Sequence, residues 1–295
     1  MTKAMTRRKF LRLALVAGAE FGVLTCGGAY AVYAEPNWLS IERVTLPFKN
    51  LPDALNGFTL AQISDLHVGP QVVPETIARA VDTINSLQPS LIAVTGDLAL
   101  DSTFTQRRVS NDARLCAAEL ARLRAPLGVF AALGNHDHWD DTTVVTRILR
   151  DAGVTALVNQ GRLVERNDQA LWLAGVDEMW QTPARLKAAL AGAPRDVPTI
   201  LLAHEPDVAD QVAADGRVWL QLSGHSHGGQ VRLPIVGALV LPRRGRKYPM
   251  GLRRVGGMWL YTNRGIGVVP PPIRINCRPD VTLFTLIQDQ PSHSA

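Results

Sequence analysis

From Phe58 onward, short apolar runs alternate with longer stretches of helical periodicity. Phe58–Ser64, Leu91–Thr95 and Val129–Leu133 have the length and composition of buried strands. Between the first two, Pro74–Leu87 spaces Ile77, Val81, Ile84 and Leu87 along one helical face, and Pro89 stops the pattern. Asn111–Leu123 turns Leu115, Leu120 and Leu123 inward, and another helix over about Thr142–Ala152 follows the third strand. The second half is richer in strand, with runs at Ala170–Val176, Thr199–Ala203, Val218–Leu222, Gln230–Leu233, Trp259–Thr262 and Thr282–Ile287. Two short helices are expected at Arg185–Ala191 and Val208–Ala213. Strand–helix alternation followed by strands with few helices predicts a layered α/β fold with mixed sheets. No linker-like stretch divides residues 35–288, which are expected to form one domain with a flexible tail at 289–295.

Residues 1–34 follow a different pattern. Thr6-Arg7-Arg8-Lys9-Phe10-Leu11 resembles a twin-arginine (Tat) export signal, and the Gly- and Ala-rich apolar stretch to Ala34 carries only Glu20 as a charge. Cleavage is expected after Ala31 or Ala34; the alternative is a retained membrane anchor. Arginines ahead of an apolar run place the main domain outside the cytoplasmic membrane, exported or anchored at its outer, periplasmic face. The Tat machinery is then an expected partner.

Charge adds little beyond this. The net charge of +5 is concentrated in Lys3, Arg7, Arg8, Lys9 and Arg12; from Glu35 onward acids and bases nearly balance, and no nucleic-acid partner is expected. A local basic run remains at Arg243, Arg244, Arg246 and Lys247, either a solvated loop or a receiver of anions. Only Cys116 and Cys277 follow the apolar leader, more consistent with buried apolar residues than with a disulfide.

The chemistry gathers where strands end. Asp65-Leu66-His67, Gly96-Asp97 and Gly134-Asn135-His136-Asp137 follow the first three strands. His204 follows Thr199–Ala203, and His225 and His227 follow Val218–Leu222. In sheets of this type ligand sites form beyond the carboxyl ends of strands, so these residues are expected to share one cleft. Carboxylates, imidazoles and one amide without thiolates suit Mn, Fe or Zn better than Mg or Ca, and Asp97 is the natural bridge between two cations.

These segments, in this order, resemble the calcineurin-like metallophosphoesterase family. The sequence Ser223-Gly224-His225-Ser226-His227-Gly228-Gly229-Gln230, with Arg264-Gly265-Ile266-Gly267 and Pro272-Ile273-Arg274, looks like its Tat-exported, membrane-linked branch. The resemblance implies a four-layer α/β/β/α sandwich and two divalent metal ions. It implies that Asp65, His67 and His227 hold one metal, that Asn135, His204 and His225 hold the other, and that Asp97 bridges them. His136 would lie beside the metals as proton donor, oriented by Asp101 or Asp137, with His138 as a bystander. The implied reaction is phosphoester hydrolysis by a metal-activated hydroxide, most naturally on a phosphodiester and, given the branch, on a lipid-linked or envelope substrate flanked by Trp139 and Trp180. Phosphomonoesters and pyrophosphates remain open to the same site.

Two other functions compete. Gly224-His225-Ser226-His227-Gly228 also matches the G-x-S-x-G elbow of a serine hydrolase, with Ser226 as nucleophile. That elbow requires a helix after the serine, whereas Gln230-Val231-Arg232-Leu233-Pro234 alternates like a strand. A non-catalytic metal-binding protein is the other possibility, disfavoured because no ligand position is missing.

Overall fold

Period-two alternation in the central strands sorts their side chains onto two faces, and this sorting generates the layers. The computed structural model describes residues 6–100, 109–139, 141–166, 169–177 and 184–289. Strands β1 (Ser40–Phe48), β2 (Thr59–Ile63), β3 (Leu91–Thr95), β4 (Val129–Ala132) and β5 (Val154–Ala156) form one six-stranded sheet with the last strand, β14 (Asp280–Gln288). Its order is β1-β14-β2-β3-β4-β5, parallel except where β14 runs antiparallel to β2. The second sheet contains β6 (Gln160–Arg166), β7 (Gln169–Val176), β8 (Thr199–Ala203), β9 (Leu220–Ser223), β12 (Gly251–Val255) and β13 (Met258–Thr262). Its order is β12-β13-β9-β8-β7-β6, with a parallel centre and an antiparallel strand at each edge. A small hairpin, β10 (Arg232–Leu233) and β11 (Gly237–Ala238), stands apart from both sheets.

In β3, Leu91 and Ala93 face the opposite sheet while Ile92 and Val94 face helices. In β8, Ile200 and Leu202 face the first sheet and Leu201 and Ala203 face the other way. The inter-sheet core therefore unites Leu60, Phe130, Leu173, Leu222 and Phe284, all buried. Helices α2 (Pro74–Leu87), α3 (Val109–Leu120) and α4 (Thr142–Asp151) cover the first sheet, burying Ile77, Ile84, Leu120 and Leu149. Helices α5 (Ala184–Ala189) and α6 (Ala209–Asp215) cover the second with Leu186, Ala189 and Val212. The result is the expected helix–sheet–sheet–helix order with mixed sheets.

Several strands escaped the periodicity argument. Ser40–Phe48 alternates between exposed and buried positions only weakly and contains Pro47, which an edge strand tolerates. The missed β5, β6 and β12 are likewise short or at sheet edges.

At the N-terminus, α1 (Arg7–Ala29) carries exposed Phe10, Leu11, Leu13, Leu15 and Phe21 and runs on through a π turn over Tyr30–Ala34. Among the described residues, no helix is long and apolar enough to cross a membrane. The segment behind α1 is tied to the body: the Arg274 N–H donates to the Ala31 carbonyl at 2.9 Å, and the Cys277 N–H donates to Glu35 Oε1 at 2.5 Å. Cys116 and Cys277 are both buried free thiols, so they do not form a disulfide.

Candidate metal centre

The two sheets are registered at their carboxyl ends by a buried amide. Gln62, on β2, donates from Nε2 to Thr95 Oγ1 at 2.9 Å and across the sandwich to the Ser223 carbonyl at 3.0 Å. Immediately beyond these strand ends the backbone turns sharply. Asp65, His67, Asp97, His225 and His227 all have positive φ, between 46° and 69°. Non-glycine residues adopt this region at a cost, and such residues concentrate where side chains must be aimed at a site. Two close approaches require glycine: a Cβ on Gly134 would overlap the Asp97 carboxylate, and one on Gly224 would overlap Ser64 and Asp65.

The turns bring Asp65, His67, Asp97, His136, His204 and His227 close to one another, while His225 belongs to none of the converging groups and meets His204 ring to ring at 5.1 Å. His67 Nε2 lies 3.0 Å from His227 Nε2, and the rings stack with centroids 4.9 Å apart. Asp65 Oδ1 is 3.3 Å from His227 Nε2 and 3.9 Å from the Nε2 atoms of both His67 and His204. Asp97 Oδ2 lies 3.1 Å from His204 Nε2 and 3.6 Å from His67 Nε2, between the two halves of the cluster. His136 sets its ring edge-on to His67 at 4.8 Å. Three overlapping groups, Asp65–His67–His227, His67–Asp97–His136 and Asp65–Asp97–His204, each converge tightly enough to hold a metal ion.

Hydrogen bonds select the tautomers. His204 Nδ1 sits 2.6 Å from the Thr95 carbonyl, so Nδ1 carries a proton and Nε2 is the ring atom that faces Asp97. His225 is the reverse: Nε2 lies 2.8 Å from the Arg243 carbonyl, which leaves Nδ1 as its acceptor atom. The His225 backbone N–H donates to both oxygens of Asp65, at 2.9 and 3.0 Å. Asn135 Oδ1 is buried without a hydrogen-bond partner among the described residues. An orphaned amide oxygen, together with imidazole nitrogens packed 3.0 Å apart beside two carboxylates, is what a cation site requires of its donors. The donor set fits divalent metal.

Electrostatics follow from burial and crowding. Burial opposes ionisation of Asp65 and Asp97, but neighbouring imidazoles outweigh it. His227 and His204 hold Asp65 below the usual carboxylate range, while His204, His136 and His67 hold Asp97 well below it. For His204, burial is outweighed by Asp97 and Asp65, and its value rises well above that of ordinary imidazole. For His67, burial prevails over Asp97 and the value falls well below. Burial, then repulsion from His204, lowers His225.

Asp137 has a different part from the one the sequence offered. Its Oδ2 accepts from the N–H groups of Asp97 and Gly134, and its Oδ1 from Leu98, all at 2.9 Å. Asp97 Oδ1 in return accepts from the His136 N–H at 2.9 Å. These reciprocal bonds clamp the β3 and β4 exits together, so Asp137 holds backbone. Asp101, the other candidate for orienting His136, lies outside the described residues, as do Trp180 and the tail beyond residue 289.

His138 stays out of the cluster and pairs with Asp177, which also lies 3.4 Å from Arg185 Nη1. Trp139 is 59% exposed and does not line the cleft, so it does not flank the site as the sequence allowed. Ser226 donates its hydroxyl to the Pro249 carbonyl and accepts from the Gly228 N–H, capping a short 3₁₀ turn over His227–Gly229. The strand–turn–helix of a serine nucleophile is not formed.

Sequence reasoning missed the wall above the cluster. A cavity of about 460 Å³ has Asp97, Asn135, His136, His225 and His227 on its floor. Val231, Leu239, Val240, Val269, Pro270 and Ile273 line the wall.

The pattern of the family described as calcineurin-like phosphoesterase matches residues 58–229, a span that includes every residue expected to hold metal. The chain is 34% identical over 288 residues to a Bacillus subtilis protein named uncharacterized metallophosphoesterase YkuE, covering 96% of this chain and 98% of that one. It is 31% identical over 286 residues to Escherichia coli phosphodiesterase YaeI, covering 96% of this chain and 100% of that one. A Danio rerio protein named transmembrane protein with metallophosphoesterase domain is 34% identical over 259 residues, covering 83% of this chain and 56% of that one. The residues beyond the strands, their convergence and this match together establish that the chain belongs to the calcineurin-like phosphoesterase family, a membership that implies hydrolase activity.

Proposed function

We propose that this chain is a phosphodiesterase that acts at the outer face of the cytoplasmic membrane on a lipid-linked or envelope phosphodiester. The observation that carries this reading is the cleft itself, whose polar floor suits a phosphate and whose apolar wall suits a hydrocarbon substituent. The names of the Escherichia coli and Danio rerio relatives, a phosphodiesterase and a transmembrane protein, point the same way. So does the paired-arginine leader Thr6-Arg7-Arg8-Lys9-Phe10-Leu11.

In this reading Asp65, His67 and His227 hold one divalent cation, Asn135, His204 and His225 hold the other, and Asp97 is shared. When bound, such cations supply Lewis acidity and lower the pKa of water. The protein's own residues do the rest. The Thr95 and Arg243 carbonyls hold Nδ1 of His204 and Nε2 of His225, leaving the other nitrogen of each ring for a cation. His136, on the cleft floor beside His67, donates a proton or hydrogen bond to the leaving oxygen. Its backbone is held by Asp97, and so its position is set by the cluster it serves. The apolar wall excludes water from one side of the substrate, strengthening each charge interaction on the floor.

The test is a panel of chromogenic mono- and diesters, a pyrophosphate and a lipid-linked diester, assayed with Mn, Fe or Zn and alongside metal analysis. Diester hydrolysis that exceeds monoester hydrolysis, and that a chelator abolishes, is expected. Preference for the monoester or pyrophosphate would overturn the substrate assignment. Inhibition by a serine-directed phosphonate with chelator resistance would overturn the metal assignment.

A further inference from the structure

The hairpin β10–β11 breaks the rules that the rest of the fold obeys. Its strands pair Arg232 with Ala238 and Leu233 with Gly237, and the turn between them is Pro234-Ile235-Val236. Ile235 is fully exposed, Val236 is 69% exposed, and Leu239 and Val240 are also exposed. Ile235 moreover has φ of 69°, a conformation that β-branched residues strongly disfavour and that glycine or asparagine would adopt at lower cost. A strained apolar side chain with no packing to offset it has no folding rationale. Contiguous exposed apolar surface of this kind marks an interaction site.

Three further observations say what covers it. First, residues 230–248 contain Arg232, Arg243, Arg244, Arg246 and Lys247 and no acid. Of the acids packed against this segment, Asp210 pairs with Lys247 Nζ at 2.7 Å, and Asp207 accepts from the backbone N–H groups of Arg246, Lys247 and Tyr248. Five bases and no acid within residues 230–248, against Asp207 and Asp210 beside them, leave a net positive balance of charge. Second, the hairpin leaves the body from the same strip as the apolar α1. The Ile275 N–H donates to the Gln230 carbonyl and the Arg232 N–H to the Ile275 carbonyl, both at 2.9 Å. The adjacent Arg274 and Cys277 N–H groups hold Ala31 and Glu35 behind α1. Arg274 stiffens this strip: it is fully buried, and its guanidinium donates to the carbonyls of Arg264, Gly265, Gly267 and Cys277. Third, Leu239 and Val240 belong both to the exposed patch and to the cleft wall, so one apolar surface runs from outside the molecule to the metal floor.

We propose that the hairpin over residues 233–240 is a membrane-docking element for an anionic phospholipid surface. Ile235 and Val236 enter the acyl edge of the bilayer, and the net positive segment over residues 232–247 meets the headgroups. The wall formed by Leu239 and Val240 then opens the cleft toward lipid phosphoesters. The docking deepens the membrane-face reading above, but it is measured without catalysis, so either can fail alone.

The experiment uses the full chain. Co-sedimentation with vesicles rich in phosphatidylglycerol is compared between the parent and an Ile235→Asp/Val236→Asp double variant. Hydrolysis of a soluble chromogenic diester is followed in parallel. Losing two inserted aliphatic side chains should weaken vesicle binding at least about tenfold, with soluble turnover unchanged because neither residue lines the cleft. Val236→Trp guards against misfolding as an explanation, since it should raise vesicle affinity. Pure phosphatidylcholine vesicles should bind the parent more weakly. Equal vesicle binding by parent and double variant would overturn the proposal. So would a double variant that turns a dimer into a monomer with vesicle binding intact, because the patch would then be a contact between copies. Binding indifferent to lipid charge would remove the arginine half of it.

Discussion

The floor and the rim of the cleft are built by opposite rules. The floor and the cluster beneath it bury ionisable groups: Asp97, His225 and His227 are at most 8% exposed, and Asp65, His67 and His204 at most 1%. The rim exposes hydrocarbon at Ile235, Val236, Leu239 and Val240. Both spend backbone strain, but the floor anchors its strained residues in hydrogen bonds to both sheets, whereas Ile235 stands free at a turn. Strain that is surrounded by bonds positions a group, while strain without bonds presents one. A single cleft can thus recognise a substrate with a charged end and an apolar end.

The sharpest way to break this contrast is at the floor. Asp97→Ala removes the carboxylate lying between His67 and His204, and hydrolysis should fall by about a thousandfold or more together with metal content. Activity with metal retained would show that Asp97 is not shared. His136→Ala should cost about a hundredfold in rate with metal content unchanged, measured as kcat against bound metal; unaltered turnover would remove it from proton donation.

Asp137→Asn tests the scaffold beneath the floor. An amide cannot accept from three N–H groups as a carboxylate does, and the loss should cost about 2 kcal/mol of stability by urea denaturation. Its pH signature is also defined. Burial, then the Asp97 charge, pushes the Asp137 carboxyl up to about 6, with the Gly134 and Leu98 N–H groups partly offsetting this. The folded value then exceeds the unfolded one, so the folded state holds the extra proton between them. The Asp137 contribution to the stability of metal-free protein should fall as pH rises from about 4 to about 6, against the opposite slope from the lowered His67 and His225, so the asparagine variant should show a more positive slope than the parent over this range. The smallest effect belongs to the rim: Ile235→Asp should change stability by less than about 0.5 kcal/mol, because the side chain packs on nothing. A larger loss would mean that the hairpin supports the fold.

The same contrast governs what could be read from the sequence. Floor residues announce themselves because their types are rare and sit where apolar runs stop, as at Asp65-Leu66-His67 after β2 and His204 after β8. The central strands were equally legible, since two packed faces demand unbroken apolar runs. The rim was not, because Ile235 and Val240 have the composition of core residues and nothing local says that they face outward. Asp137 was visible as an acid but not as a clamp: its partners are backbone N–H groups some forty positions earlier, which no side-chain pattern encodes. Edge strand β1 escaped because one open edge relaxes the requirement for alternation.

Strand β14 lies between β1 and β2, which stand far earlier in the chain, and matches β1 over its full length, from Ser40 opposite Asp280 to Phe48 opposite Gln288. The first sheet therefore carries a gap until Asp280–Gln288 are in place. Closing that gap joins segments separated by nearly the whole sequence, the kind of long-range pairing that makes folding slow. The Asp65–His67 turn hangs from β2, next to β14, so the last strand of the sheet supports the segment that aims two residues of the cluster. A chain cut short before Asp280 is therefore an incomplete sheet with an exposed edge.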